Sequence, residues 1–410
     1  MLQRNLIFSL LFCLFSIGPV ACQSVSFKKK TAESKQIILT GAQQTQLYLD
    51  LLKNKKIGIL ANPTTIIDNK HLVDSLLALG FQISKVFGPE HGFRGNASAG
   101  IKVEDEKDPK TGIKIVSLYG KKRKPSFDDL KDIDLMIFDV QDVGCRFYTY
   151  INVLRDIMES CAENNKPLLI LDRPNPNGYF IDGPILDLSL KSGIGQFPIP
   201  ITHGMTIGEF AQMINGEGWL PNNLKCDITV IPVKNYKHDD EYIPPVKPSP
   251  NLNTYQSILL YPSICLFEGT IINLGRGTMF PFTVLGSPLL KGKYKFSYKP
   301  VGIKGMSETP LYKDKVCYGI DLRKYDQSKL RENKKIELKW MIELYKKYPQ
   351  KDRFFDKSQS NQIGNIDFLI GVSDFKDQIR KGFTEEQIRA TWEPGLTKYK
   401  KMRKKYLIYE

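Results

Sequence analysis

Short apolar runs alternate with amphipathic stretches along the body of this chain. Lys56-Ile57-Gly58-Ile59-Leu60-Ala61-Asn62 is almost continuously apolar, the pattern of a strand covered on both faces rather than one with a wet side. Leu72, Leu76, Leu77 and Leu79 follow at mostly helical spacing and Gly80 closes the segment, which predicts a helix there and the next strand over Phe81 to Phe87. Asp134 to Val140 and Pro167 to Leu171 repeat the strand pattern, with a helix over Val153 to Cys161 between them. Strand and helix in this alternation predict an α/β fold built on a doubly wound parallel sheet.

Further along, Thr206-Ile207-Gly208-Glu209 is a capping box that opens a helix through Phe210, Met213 and Ile214, which makes Glu209 structural. Past Pro288 the chain turns lysine-rich, with a helix-like run from Lys334 to Tyr348. A second capping box, Thr384 to Gln387, leads into a helix with Ile388 and Trp392 that Glu393-Pro394-Gly395 is expected to interrupt, and Leu396, Tyr399 and Met402 mark the apolar side of a final helix. This last third is expected to close one wall of a cleft.

Ahead of the body, Gln3 and Arg4 precede an apolar run from Leu6 to Val20 that leaves through Ala21-Cys22 into polar sequence. That is the pattern of an export signal, too short to anchor a bilayer. Cys22 is placed to accept a lipid, although Pro19 stands where such signals usually carry Leu, so cleavage and lipidation both fit. Residues 1–22 are therefore read as signal, 23–36 as polar linker, 37–250 as a catalytic domain and 251–410 as a C-terminal domain. The expected location is the periplasm or, lipidated through Cys22, the outer membrane.

Seven cysteines include five in the body, Cys145, Cys161, Cys226, Cys265 and Cys317. Their irregular spacing and odd number predict buried thiols rather than a disulfide framework or zinc knuckle. The net charge of +15 raises the question of nucleic acid. No nucleic-acid motif accompanies it, and the lysines are dispersed; the run Lys398 to Lys405 suits the wet face of a terminal helix. Anionic envelope polymers are the better partner.

Chemistry concentrates after the strands. Asn62-Pro63-Thr64 follows the first, Gly88-Pro89-Glu90-His91-Gly92-Phe93-Arg94-Gly95 the second, Gln141 to Arg146 the third and Asp172 to Gly178 the fourth. In open α/β sheets the carboxyl ends of the strands frame the crevice where ligands bind. A dinucleotide would need Gly-x-Gly-x-x-Gly after a strand; the first loop lacks it, and Gly275-Arg276-Gly277-Thr278 is too short. No cofactor is expected. The four histidines form no paired metal motif, and no Gly-x-Ser-x-Gly elbow is present. A hard cation held by Glu90, Asp139, Asp142 and Asp172 stays open as an alternative.

Carboxylate chemistry is the reading that survives. Glu90 lies between Pro89, which stiffens the turn, and His91, which could tune its proton; a glutamate in a semi-enclosed crevice suits general acid catalysis. Glycosidic cleavage commonly uses two carboxyl groups, and Asp139, Asp142 and Glu268 are candidates for the second. His203, just before a helix cap, is free to reach a ligand, and Pro248 to Leu252 is a stiff turn presenting Asn251. Arg146, Arg173 and Arg276 suit bidentate recognition of an anion, and Phe93, Phe147 and Tyr148 offer faces for a sugar. An acidic carbohydrate fits the set.

Together these motifs resemble the exo-β-N-acetylmuramidases of peptidoglycan recycling. The resemblance rests on Gly88 to Gly95, Phe138 to Tyr150, Asp172 to Gly178, His203 to Glu209, Pro248 to Leu252, Phe267 to Thr270 and Gly275 to Thr278. It implies a Rossmann-like domain with a second, smaller α/β C-terminal domain, and release of N-acetylmuramic acid from the non-reducing end of peptidoglycan fragments. It also implies Glu90 as a principal catalytic residue. The lactyl carboxylate of muramic acid would give Arg146, Arg173 or Arg276 a specific task. His91, Arg94, Tyr148, Asp172, Asn175, Asn177, His203, Asn251 and Thr278 complete the expected binding residues. A non-catalytic envelope glycan-binding protein is the alternative from another class.

Overall fold

Six parallel strands form the centre of this computed structural model, which describes residues 36–90, 92–94, 106–120, 122–356 and 365–409. They are β1 (Lys56–Ala61), β2 (Gln82–Gly88), β3 (Lys114–Ser117), β4 (Leu135–Asp139), β5 (Leu168–Leu171) and β6 (Ile228–Ile231). Their order across the sheet is β3-β2-β1-β4-β5-β6, with the short segment Glu106–Lys107 antiparallel at the β3 edge. The predicted export signal, Cys22 and nearly all of the linker lie outside the described residues.

The continuous apolar runs are explained by what covers the sheet. Successive residues of each strand join different cores: Ile57, Ile59, Ala61, Leu135, Ile137, Leu169 and Leu171 pack on one side with Leu72, Val73 and Leu76 of helix α1 (Leu72–Ala78). Leu60, Met136, Phe138, Leu168 and Ile170 pack on the other with Ile151, Leu154 and Ile157 of α2 (Tyr150–Glu163) and Phe210 and Met213 of α3 (Ile207–Gly216). With helices on both faces, neither side of a strand can be polar. The doubly wound reading holds, and α3 opens on the expected capping box, Thr206 accepting from Glu209 N–H.

The second half of the chain carries α4 (Tyr255–Ile264), a three-stranded antiparallel sheet, and helices α5 (Lys339–Lys347), α6 (Ile366–Ile370) and α7 (Glu385–Arg403). The sheet orders β7 (Val284–Ser287), β9 (Cys317–Asp321) and β8 (Phe296–Tyr298), with β9 in the middle. The helices of this half are continuous with one face of the large sheet: Ile258, Phe267, Ile366 and Trp392 share a core with Phe138 and Ile170. Ile38–Glu410 forms one compact unit.

Two helix expectations are corrected. The run from Lys334 becomes helical only at Lys339, because Lys334 adopts a left-handed backbone, φ 47°, and ends the preceding helix Gln327–Asn333. Pro394 does not interrupt α7, which is continuous from Glu385 to Arg403. The proline faces solvent, while Ile388, Trp392, Leu396 and Tyr399 bury one stripe across it. Burial of that stripe outweighs the lost hydrogen bond and ring clash, about 3 kcal/mol in a helix interior. The five body cysteines are free and buried.

Candidate active site

The strand order turns back between β1 and β4, so the loops after them diverge and leave a crevice at the carboxyl edge of the sheet. Hydrogen bonds set these loops. Thr65 donates its hydroxyl to the Asp139 carbonyl, Gln141 N–H donates to Thr64 Oγ1 at 2.9 Å, and Asn62 Nδ2 donates to Tyr150 Oη at 2.8 Å. Beside β1, strand β2 ends at Gly88 and the chain turns sharply, Gly92 N–H donating to Pro89 O at 2.9 Å. Gly92 has φ 73°, a conformation that a side chain would strain. Past the turn, Phe93 is buried against His71, their rings 4.9 Å apart edge to face. Burial pushes the His71 imidazole down to about 4, so it is neutral at physiological pH and accepts from Val73 N–H at the start of α1.

Arg94 is fixed by two carboxylates, Asp108 at 2.7 Å and Asp74 at 3.0 Å, and lies over the Phe93 ring at 4.4 Å. Arg94 thereby anchors the turn. His91 lies outside the described residues. Glu90, half-buried between these anchors and the strand end, faces a cavity of about 330 Å3. That volume lies within the range of small-ligand pockets, roughly 300–1,000 Å3. Leu118, Tyr119, Gly120 and Arg123 from the loop after β3 line it, with Thr149, Asn152, Val153 and Asp156 from α2 and its cap, and Gly193 and Gln196 opposite.

Charge and hydrogen bonding in this cavity centre on Glu90. Tyr119 hydrogen-bonds its carboxylate; burial, reinforced by the charge of Glu90, pushes the Tyr119 hydroxyl up to about 12. Burial also raises Tyr150 and Tyr148, with the charges of Glu90 and Asp142 adding to it. Asp156 is the second carboxyl lining the cavity; Arg155 binds it at 2.8 Å, yet burial keeps its pKa above the ordinary carboxylate value. Asn152 donates to Gly193 O at 3.0 Å and leaves its buried Oδ1 without a protein donor among the described residues.

The other candidate carboxylates lie elsewhere. Asp139, fully buried, is gripped by Arg173 through Nε at 2.5 Å and Nη2 at 2.9 Å. Burial pushes the Asp139 carboxyl up and the guanidinium opposes it; both members are held at the strand end and do not line the cavity. Asp142 accepts from Gly144 N–H at 2.6 Å and lies 3.7 Å from His203 Nε2, a buried pair under the loop. Glu268 binds Arg276 through Nε and Nη2, at 2.8 and 2.5 Å, with the guanidinium over Phe282. Among the described residues no three His, Cys, Asp or Glu side chains converge to hold a metal.

Most of the expected binding residues are structural. Arg146 is fully buried and donates to the carbonyls of Pro184, Ile199, Leu369 and Ile370 at 2.7 to 2.9 Å, the last two at the end of α6. Gly371 permits this: it has φ 90°, and a Cβ there would lie 2.5 Å from Arg146 Nη2. Asp172 caps α3, accepting from Arg173 N–H, Gly208 N–H, Thr206 Oγ1 and Tyr409 Oη. Asn175 donates to Met205 O, Asn177 to Val143 O and Ile258 O, and Asn251 to Met306 O. Thr278 donates to Gly275 O inside a packed turn, and Tyr148 to Pro248 O. Phe93 and Phe147 are core residues.

Tyr119, Arg123, Asn152, Asp156 and Gln196 were not singled out from the sequence. For Tyr119 and Arg123 a signal existed: both follow β3, a four-residue strand whose carboxyl end belongs to the same edge.

Fold and cavity define an α/β protein with a carboxylate-bearing ligand cleft beside the turning point of its sheet. The N-terminal model of the exo-beta-N-acetylmuramidase NamZ family matches residues 57–256 and its C-terminal model residues 259–409. The chain belongs to that family. It is 37% identical to the peptidoglycan beta-N-acetylmuramidase NamZ of Bacillus subtilis (strain 168), over 99% of this chain and 100% of that protein. Crystal structures of two DUF1343 family proteins from Bacteroides fragilis NCTC 9343 share the fold. One has TM-score 0.83 and 44% identity over 92% of this chain and 99% of its own. The other has TM-score 0.77 and 29% identity over 91% and 99%.

Proposed function

We propose that this protein is a glycosidase that releases N-acetylmuramic acid from the non-reducing end of peptidoglycan fragments, after export by its N-terminal signal. One observation carries the reading on the side of the chain itself: Glu90, the carboxylate of the Gly-Pro-Glu-His-Gly turn, opens onto a sugar-sized cavity at the carboxyl edge of the sheet. Full-length similarity to a peptidoglycan beta-N-acetylmuramidase supports the substrate. The family match does not favour a glycan-binding protein without catalysis.

In this reading Glu90 donates a proton to the departing glycosidic oxygen, held in orientation by Tyr119. Asp156 is the second carboxyl facing the same volume, in place of Asp139, Asp142 or Glu268. Two carboxyl groups about the scissile bond satisfy the common scheme of glycoside hydrolysis. Glu90→Gln is expected to leave the fold intact and to lower turnover of a chromogenic β-muramide by about 100- to 10,000-fold. Near-normal turnover by that variant would remove Glu90 from the mechanism.

A further inference from the structure

N-acetylmuramic acid differs from N-acetylglucosamine by one group, a lactyl ether ending in a carboxylate. Entry of that anion into a cavity already lined by Glu90 and Asp156 is opposed by like charge unless a cation faces it. The three arginines whose motifs suggested anion recognition are committed elsewhere. Arg146 saturates four backbone carbonyls, Arg173 holds Asp139, and Arg276 holds Glu268. Arg155 is bound to Asp156 and Glu159.

Arg123 is different. It lines the cavity from the loop after β3, exposed, and its charge is felt by Tyr119 and Asp156. Among the described residues no carboxylate pairs with it, and among those lining the cavity it carries the positive charge. Gly193 lies beside the guanidinium: a Cβ there would come to 3.9 Å from both Arg123 terminal nitrogens, an ordinary contact distance. Asn152 lines the same cavity from α2, and its buried Oδ1 has no protein donor among the described residues. An anionic sugar matches the free guanidinium.

We infer that Arg123 receives the lactyl carboxylate of the substrate and so sets the preference for muramic acid over glucosamine. The inference rests on the function proposed above and extends it to the group that reads the sugar. Its test is calorimetric binding of free N-acetylmuramic acid, with N-acetylglucosamine as the neutral control, to the full-length protein and to Arg123→Ala and Arg123→Lys. Arg123→Ala is expected to weaken N-acetylmuramic acid by about 10- to 100-fold, the strength of a charged hydrogen-bonded contact, and to leave N-acetylglucosamine within about twofold. Arg123→Lys should recover part of the loss, since a point charge replaces a fork.

Equal binding of N-acetylmuramic acid by the parent and Arg123→Ala overturns the assignment. So does a parallel loss for both sugars, which would mark a structural role, or the absence of saturable binding to the parent protein. Sugar release by the parent, measured alongside, separates the two readings. Charge-selective binding without release removes the hydrolase reading and leaves Arg123 as the carboxylate reader; release without dependence of binding on Arg123 removes Arg123 alone.

Discussion

Glu90 and Arg94 belong to one octapeptide and do opposite work. Arg94, between Asp74 and Asp108, fixes the turn; Glu90, hydrogen-bonded by Tyr119, faces the cavity. The sequence could mark the turn as unusual, yet it could not divide its residues into anchors and reactants, because that depends on which strands end nearby. Asp172 makes the same point. Its motif suggested a ligand, but four donors and the start of α3 surround it, and burial pushes its carboxyl from 3.8 up to about 6. The raised value means that the folded state holds the proton more tightly than the unfolded chain does. Its contribution to stability is therefore full below about pH 4 and is lost as pH rises to about 6, on the order of 3 kcal/mol at 1.36 kcal/mol per pH unit. Asp172→Asn is expected to flatten the stability profile between those values in denaturant titrations. An unchanged slope would show that the carboxyl is ionised throughout.

At the scale of elements, the strands were readable where both faces are covered by helices, since a run such as Leu135 to Asp139 has no polar alternative. β3 and β6 carry a weaker signal than the equally short β5, because Lys114 and Thr229 break their apolar runs. The loop after β3 carries Tyr119 and Arg123, so their place at the cavity depends on that strand. The last helix shows local preference yielding to packing. Pro394 should end α7 on propensity, but Tyr399 donates to His203 O and Arg403 reaches Gly204 O, so the far half of the helix is held in place. Pro394→Ala restores a donor for the carbonyl one turn earlier. It is expected to raise stability by about 1 kcal/mol, less than the ~3 kcal/mol of an unaccommodated proline. A lower melting temperature would show that the proline is needed to seat Arg403.

For the whole molecule, the two family segments share one core and exchange buried hydrogen bonds. Arg146 on the first binds carbonyls at Leu369 and Ile370 on the second, Asn177 reaches Ile258, Arg389 pairs with Asp182, and Tyr409 closes on Asp172. Burial pulls the Arg146 guanidinium down to about 9, still charged at neutral pH, so its loss would strip four buried carbonyls of a cationic donor. Arg146→Met is expected to destabilise by at least about 3 kcal/mol. Calorimetry of the parent protein should show a single transition. Two resolved transitions would mean that the halves unfold independently and that Arg146 does not couple them.

The sequence by itself determined four of the six parallel strands, their two covered faces and the edge where chemistry gathers, because strand burial and turn residues are local signals that repeat along the chain. It also singled out Glu90 and, through motif resemblance, the family. The tertiary structure alone decided which charges are available. Arg146, Arg173, Arg276, Asp139 and Asp172 look the same in sequence as ligand-binding residues, and each is neutralised or hydrogen-bonded by other protein groups, for all but Arg276 from distant segments. In sequence Arg123 is one cation of the basic run Lys121-Lys122-Arg123-Lys124, and only the convergence of β3, α2 and the Gly193 loop placed it beside Glu90. Whether a charged side chain serves the fold or a ligand depends on what the rest of the chain brings within hydrogen-bonding distance, and that is settled only by packing.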